Sequence, residues 1–243
     1  MRMRKKKNSQ SRLEKCSDYL FEPTHADYGE EPVSPTLLLG CPNKSVMLEI
    51  GAGKGRFACE MARRNPDSMY FAMERSTDCV VLGAERAASG EFGLLDNLRF
   101  VIDTADNLLR IFPKESVSSI LLNFSDPWPK KGYAKRRLTH KRYLAVYLNL
   151  LSDGGTLTFK TDNVSLFDFS IDEIRSLGLE PEVMTRDLHS SEWNADNIMT
   201  EYEENFSSQG YSINMLRIRK PVGFKVEIPA DFTAPPVRYS EAE

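Results

Sequence analysis

Two stretches of the chain carry residue types that chemistry needs. The first, Glu49-Ile50-Gly51-Ala52-Gly53-Lys54-Gly55, leaves an apolar run and enters a segment whose Phe57 and Met61 repeat at helical spacing. Glycines let the backbone take positive φ and approach a ligand with no Cβ in the way, and the helix start offers free N–H groups. The pattern is neither the phosphate-cradling GxxxxGK[ST] nor GxGxxG, because Arg56 takes the sixth place. A Gly-rich turn alone serves structure as readily as binding. Glu74, at the end of the next apolar run, favours binding, since a carboxylate there accepts both hydroxyls of an adenosine ribose. Two nearby carboxylates would repel a dinucleotide's phosphates, whereas a ligand with an ammonium group and a sulfonium would welcome Glu49. S-adenosylmethionine is such a ligand. Asp103-Thr104-Ala105-Asp106, at the end of the third run, could hold its adenine by side-chain and backbone hydrogen bonds. A turn or helix cap accounts equally well for Asp103 and Asp106.

The second stretch, Asn123-Phe124-Ser125-Asp126-Pro127-Trp128-Pro129-Lys130-Lys131, follows the fourth apolar run, and Lys135-Arg136-Arg137 comes soon after. Its two prolines fix φ at 127 and 129 and push Asp126 and Trp128 out of the helical region. A loop that stiff would hold Asp126 at a set distance from a donor methyl. Packing explains Trp128 slightly better than base stacking does. Thr200-Glu201-Tyr202-Glu203 reads as a capping box, with Thr at the N-cap and Glu three residues on. Asp162-Asn163 has the look of a helix start. His25, His140 and His189 share no spacing that suggests a metal or a triad, so surface or capping roles are expected.

The elements that must position these residues follow from periodicity. Continuously apolar runs at about 46–50, 69–74, 98–102, 118–124 and 155–161 read as buried parallel strands. Between them Leu144, Tyr147, Leu148 and Leu151 mark one helix, and Phe167, Ile171 and Ile174 another that stops at Gly178. A helix near 200–208 and a strand near 211–219 would close the sheet. This alternation of strands and helices predicts an α/β fold. The expected organisation is a basic, irregular extension with helical cover over 1–45, one domain over 46–219, and an irregular tail over 220–243 with Pro221, Pro229, Pro235 and Pro236.

With 243 residues, 41% hydrophobic and 28% charged, the chain can bury a core without staples, which excludes disordered and disulfide-scaffold classes. Cys16, Cys41, Cys59 and Cys79 lie too far apart for a zinc motif, and no metal is expected. A reducing cytoplasm is the simplest compartment, and no apolar run approaches the roughly 20 residues that cross a bilayer. The net charge of −3 hides an uneven distribution. Residues 1–15 hold seven bases and one acid, and residues 130–142 hold seven bases and no acid, leaving 18 bases against 34 acids elsewhere. An acidic body with two basic segments suits a polyanion that docks in one place. For residues 1–7 alone a solvated terminus is the simpler reading.

The turn from Leu48 to Gly55, the run Leu122 to Lys131, KRRLT at Lys135 to Thr139, FKTDN at Phe159 to Asn163, and NIMTEYEE at Asn197 to Glu204 together resemble the bacterial tRNA (guanine-N7-)-methyltransferase family, especially its Gram-positive branch. The likeness spans about residues 8–219. It implies a Rossmann-like class I fold, a mostly parallel seven-stranded sheet with helices on both faces and one antiparallel strand near the C-terminus. It also implies methyl transfer from S-adenosylmethionine to N7 of guanosine 46 in the variable loop of tRNA, by a monomer or homodimer. By the same resemblance, Glu49, Gly51, Gly53, Glu74, Asp103, Thr104, Asn123 and Asp126 line the cosubstrate site, with Asp126 catalytic. Lys130, Asp162, Thr200, Glu201, Tyr202 and Glu203 meet the substrate, and Gly132, Tyr133, Ala134, Lys135, Arg136 and Arg137 touch RNA. The family usually has an acid where Thr104 stands, and the tail after Lys220 has no counterpart in it. Two rivals are an NAD-dependent oxidoreductase, disfavoured by Glu49 and by GxGxG, and a non-catalytic RNA-binding module.

Overall fold

The computed structural model describes residues 8–22 and 32–232. Residues 1–7, His25 and the end of the tail, with Pro235 and Pro236, lie outside them. The strands are β1 (Ser45–Ile50), β2 (Ser68–Met73), β3 (Leu98–Val101), β4 (Val117–Asn123), β5 (Leu151–Thr161), β6 (Val183–Thr185) and β7 (Asn214–Arg219). The helices are α1 (Ser9–Glu14), α2 (Pro35–Leu38), α3 (Arg56–Arg64), α4 (Thr77–Ala88), α5 (Leu108–Ile111), α6 (Lys141–Leu150), α7 (Val164–Ser176) and α8 (Glu201–Ser207). The seven strands form one sheet in the order β3-β2-β1-β4-β5-β7-β6, and β7 alone runs antiparallel to its neighbours.

Side chains alternate across the pleat, so each strand feeds both faces. Val46, Leu48, Ile50, Met69, Phe71, Ile120 and Leu122 join α5, α6 and α7 in one core, while Tyr70, Ala72 and Leu121 join α3 and α4 in the other. The order reverses between β1 and β4, whose carboxyl ends therefore open into a crevice where such sheets bind ligands.

Three differences from the sequence reading have local causes. Leu151 opens β5 rather than closing α6, since an apolar residue at i+7 suits either and no glycine or proline separates the two elements. β6 has three residues, too few to show a period. The described tail is irregular apart from a 3₁₀ turn at Ala230–Phe232, yet it is packed. Phe224, Val226 and Ile228 rest on the core, and the buried Phe232 ring meets Tyr143 edge-on at 5.3 Å. No described helix is long and apolar enough to cross a membrane.

Candidate active site

Beyond Ile50 the chain turns through Gly51 (φ +86), Gly53 (φ +55) and Gly55 (φ +73) before α3 begins. Gly53 presents its N–H to the Glu74 Oε2 at 3.1 Å, and nothing stands within 4 Å of where its Cβ would be, so its surface is open. Gly55 serves packing instead. A Cβ there would lie 2.7 Å from the Phe100 ring and 2.8 Å from the Gly83 Cα, locking α3 against α4 and β3.

The pleat sets Glu49, Asn123 and Lys160 on one sheet face across β1, β4 and β5, with Asn123 level with Lys160 and two residues beyond Leu121, the partner of Glu49. Glu49 is 2% exposed. Its carboxylate accepts from Tyr70 Oη at 3.2 Å and Asn123 Nδ2 at 3.0 Å, both neutral donors. Burial pushes its pKa up to about 7, against the opposing pull of Asn123, Tyr70 and the more distant Lys160. Glu74, half-buried at the end of β2, also accepts from Ser76 N at 2.9 Å. At the end of β3, Asp103 accepts from Thr104 N and Asn107 Nδ2, which makes it a local turn residue, and Asp106 accepts from Tyr143 Oη. The hydroxyls of Thr104 and Ser125 are buried without a hydrogen-bond partner.

The loop after β4 is held by its own basic residues. Arg137 donates to the carbonyls of Pro127 at 3.0 Å and Trp128 at 3.1 Å and lies 4.3 Å over the Phe169 ring of α7. Arg142 donates to the Lys135 carbonyl and to Asp231 of the tail. These two bases, counted above with the basic segment, are spent inside the protein, whereas Lys130, Lys131, Lys135, Arg136 and Lys141 are exposed. Trp128 does leave right-handed helical space, into the left-handed region at φ +40, and Phe124 is also left-handed at φ +53. Asp126 is 70% exposed and lies 4.0 Å from Arg75, the neighbour of Glu74. The contacts Gly53–Glu74 and Arg75–Asp126 thus place the glycine turn and the proline loop at one crevice mouth.

α8 forms the third wall. Thr200 and Glu203 make the capping box, and Glu204 takes both Nη groups of Arg56 while Glu201 takes Arg86 at 2.8 Å. The Glu203 carboxylate is wholly buried and accepts from Lys160 Nζ at 2.6 Å, Asn197 Nδ2 at 2.7 Å and His189 at 2.9 Å. Burial alone would raise the Glu203 pKa, but Lys160 and these donors hold it below the usual carboxylate range. Tyr202 faces the crevice at 42% exposed, 4.9 Å from Phe124, and burial together with a hydrogen bond to Asp162 raises its hydroxyl pKa. Tyr202 therefore meets the loop after β4 at Phe124, with Asp162 as its hydrogen-bond partner, while Glu201 and Glu203 face the protein. Asn163 caps α7, and His140 caps α6.

Sequence reasoning did not single out Arg75, Tyr70 or Lys160, named Asn197 only as the start of a motif, and expected of His189 a surface or capping role, whereas its ring meets the buried Glu203 carboxylate at 2.9 Å. The partners of Tyr70, Lys160 and His189 are 14 or more residues away in the chain, and FKTDN, which contains Lys160, and NIMTEYEE, which begins at Asn197, left the local traces.

The family described as "Putative methyltransferase" matches residues 43–216. The chain is 44% identical over 171 residues to a tRNA (guanine-N(7)-)-methyltransferase of Brevibacillus brevis, covering 70% of this chain and 78% of that protein. The chain belongs to the tRNA (guanine-N7-)-methyltransferase family. A second member, from Macrococcus caseolyticus, is 41% identical over 174 residues, 72% of this chain and 81% of its own. Among solved structures the 16S rRNA methyltransferase KamB superposes with a TM-score of 0.59 at 15% identity, over 83% of this chain and 95% of that one, a likeness of fold. As an enzyme of this family, the protein is a methyltransferase, and the dehydrogenase and non-catalytic readings fall away.

Proposed function

We propose that the protein methylates N7 of guanosine 46 in the variable loop of tRNA, with S-adenosylmethionine as donor, in the cytoplasm. The observation that carries this reading is the meeting of the glycine turn with the Asp126 loop across one crevice. The residues present fit the donor. Gly53 leaves open space, Glu74 lies beside it for the ribose hydroxyls, and Glu49 is a buried carboxylate with only neutral donors close to it, a partner for an ammonium group. The orphan hydroxyls of Thr104 and Ser125, at the ends of β3 and β4, add hydrogen-bonding capacity on the same side. Asp103, engaged in its own turn, would reach adenine chiefly through the backbone beside it.

Bound there, S-adenosylmethionine supplies a methyl on a sulfonium, which the N7 lone pair takes in line, so that the S–C bond breaks toward sulfur and the base becomes cationic. No proton leaves N7, so Asp126 needs no role as a base. It orients the purine and stabilises positive charge on it. Lys130, Asp162, Thr200 and Tyr202 shape the purine's seat, and Glu201 and Glu203 hold α8 in place for them. In an A-form duplex N7 lies in a groove too deep and narrow for side chains, so the target must sit in a loop or be splayed out. Lys130, Lys131, Lys135 and Lys141 then meet the RNA backbone, and Arg136 meets the RNA beside them.

Incubation with labelled S-adenosylmethionine and unmodified tRNA, followed by mapping of the methylated nucleotide, tests the reading. Label at N7 of guanosine 46 is the expected outcome. Label elsewhere, or none, rejects it.

A further inference from the structure

Half-buried Trp128 and exposed Tyr133 form an aromatic pair in the loop that carries Asp126. Their rings meet edge-on at 5.9 Å and 82°, and the Arg136 guanidinium lies 5.0 Å from the Trp128 ring and 4.8 Å from the Tyr133 ring. Neither aromatic belongs to a hydrophobic core cluster of the described residues, and Tyr133 is 40% exposed. Packing therefore does not account for them. The backbone that presents them is costly, since Trp128 sits at φ +40, where a bulky side chain is strained. That conformation persists because Arg137 grips the carbonyls on both sides of it, at Pro127 and at Trp128. Strain kept in place beside a reactive crevice points to use in recognition.

Two π faces and a planar guanidinium are what an unstacked nucleobase stacks on, and every base has such a face. Phosphate would need only the charge. We infer that Trp128, Tyr133 and Arg136 form a stacking platform for an unpaired base adjoining the target guanine, which holds the splayed strand while Asp126 receives the purine. The inference rests on the reading of tRNA as substrate and adds which part of the strand this loop recognises.

The chain has two tryptophans, so Trp193→Phe leaves Trp128 as sole reporter without touching the loop. Titration with unmodified tRNA in the presence of S-adenosylhomocysteine should quench its emission as the base stacks. Arg136→Lys, which keeps charge and loses the plane, and Tyr133→Leu should each weaken tRNA binding by about 5- to 100-fold. An abasic site next to the guanine should weaken binding similarly, and add little to Tyr133→Leu. Unchanged Trp128 emission with tRNA bound overturns the platform, as does an Arg136→Lys protein with wild-type affinity or an abasic lesion without effect. Methyl transfer to N7 with a silent Trp128 would reject the platform alone. A quench without any methyl transfer would reject the enzymatic reading and leave the platform standing.

Discussion

On the proposed function, Glu49 couples donor binding to pH. Its pKa stands near 7 in the folded protein against an ordinary 4.5, so the fold binds its proton more tightly than the unfolded chain does. The stabilisation is complete below about pH 4.5 and is lost as pH rises through about 7, worth roughly 3 kcal/mol over that window. An ammonium beside the carboxylate reverses the preference and expels the proton. Cosubstrate affinity should therefore rise between about pH 5.5 and 7.5 in the native enzyme, and Glu49→Gln should flatten that rise in a calorimetric titration. A different outcome is expected at Asp126, which is exposed and has the Arg75 guanidinium 4.0 Å away. Asp126→Asn should lower turnover by roughly 100-fold or more while changing S-adenosylmethionine affinity little, because its charge acts on the purine. Single-turnover rates compared with equilibrium binding separate the two, and unchanged turnover removes Asp126 from the chemistry.

Among the elements, the loop over 124–137 and α8, to which the proposed function gives the substrate side, are each held by charges spent internally. Arg137 and Arg142 fix the loop, which leaves five exposed bases for RNA. With about four phosphates neutralised, log affinity for tRNA should fall with log salt at a slope near −3 to −4, and binding indifferent to salt would remove the loop from the RNA site. Beneath α8, the buried Lys160–Glu203 pair ties the helix to β5. Glu203→Gln leaves the ammonium uncompensated in the interior, so urea unfolding should show a loss of about 3–5 kcal/mol. Replacing both partners with apolar residues should recover much of that loss.

For the whole molecule, the described part of the tail packs on the core beside α6. Phe232 fills a site against Tyr143 and the Arg142 guanidinium, far along the chain from the glycine turn. Phe232→Ala should cost about 3 kcal/mol, a fall in Tm of roughly 6–12 °C by calorimetry, with cosubstrate affinity unchanged. The strands with continuous apolar runs were legible because burial on both faces writes itself into every residue; β1, β2, β3 and β4 lie within one residue of their expected bounds at each end. β6 and the packing of the tail were not, since three residues carry no period and a proline-rich tail shows no stripe. By itself the sequence determined the residue types at the ends of β1, β2 and β4, because a turn that needs positive φ and a loop stiffened by prolines are local demands. Only the tertiary structure decided which charges remain free. Glu201, Glu203, Arg137 and Arg142 find partners far away or across a loop, and a charge run looks the same in sequence whether it faces water, RNA or the protein's own carbonyls.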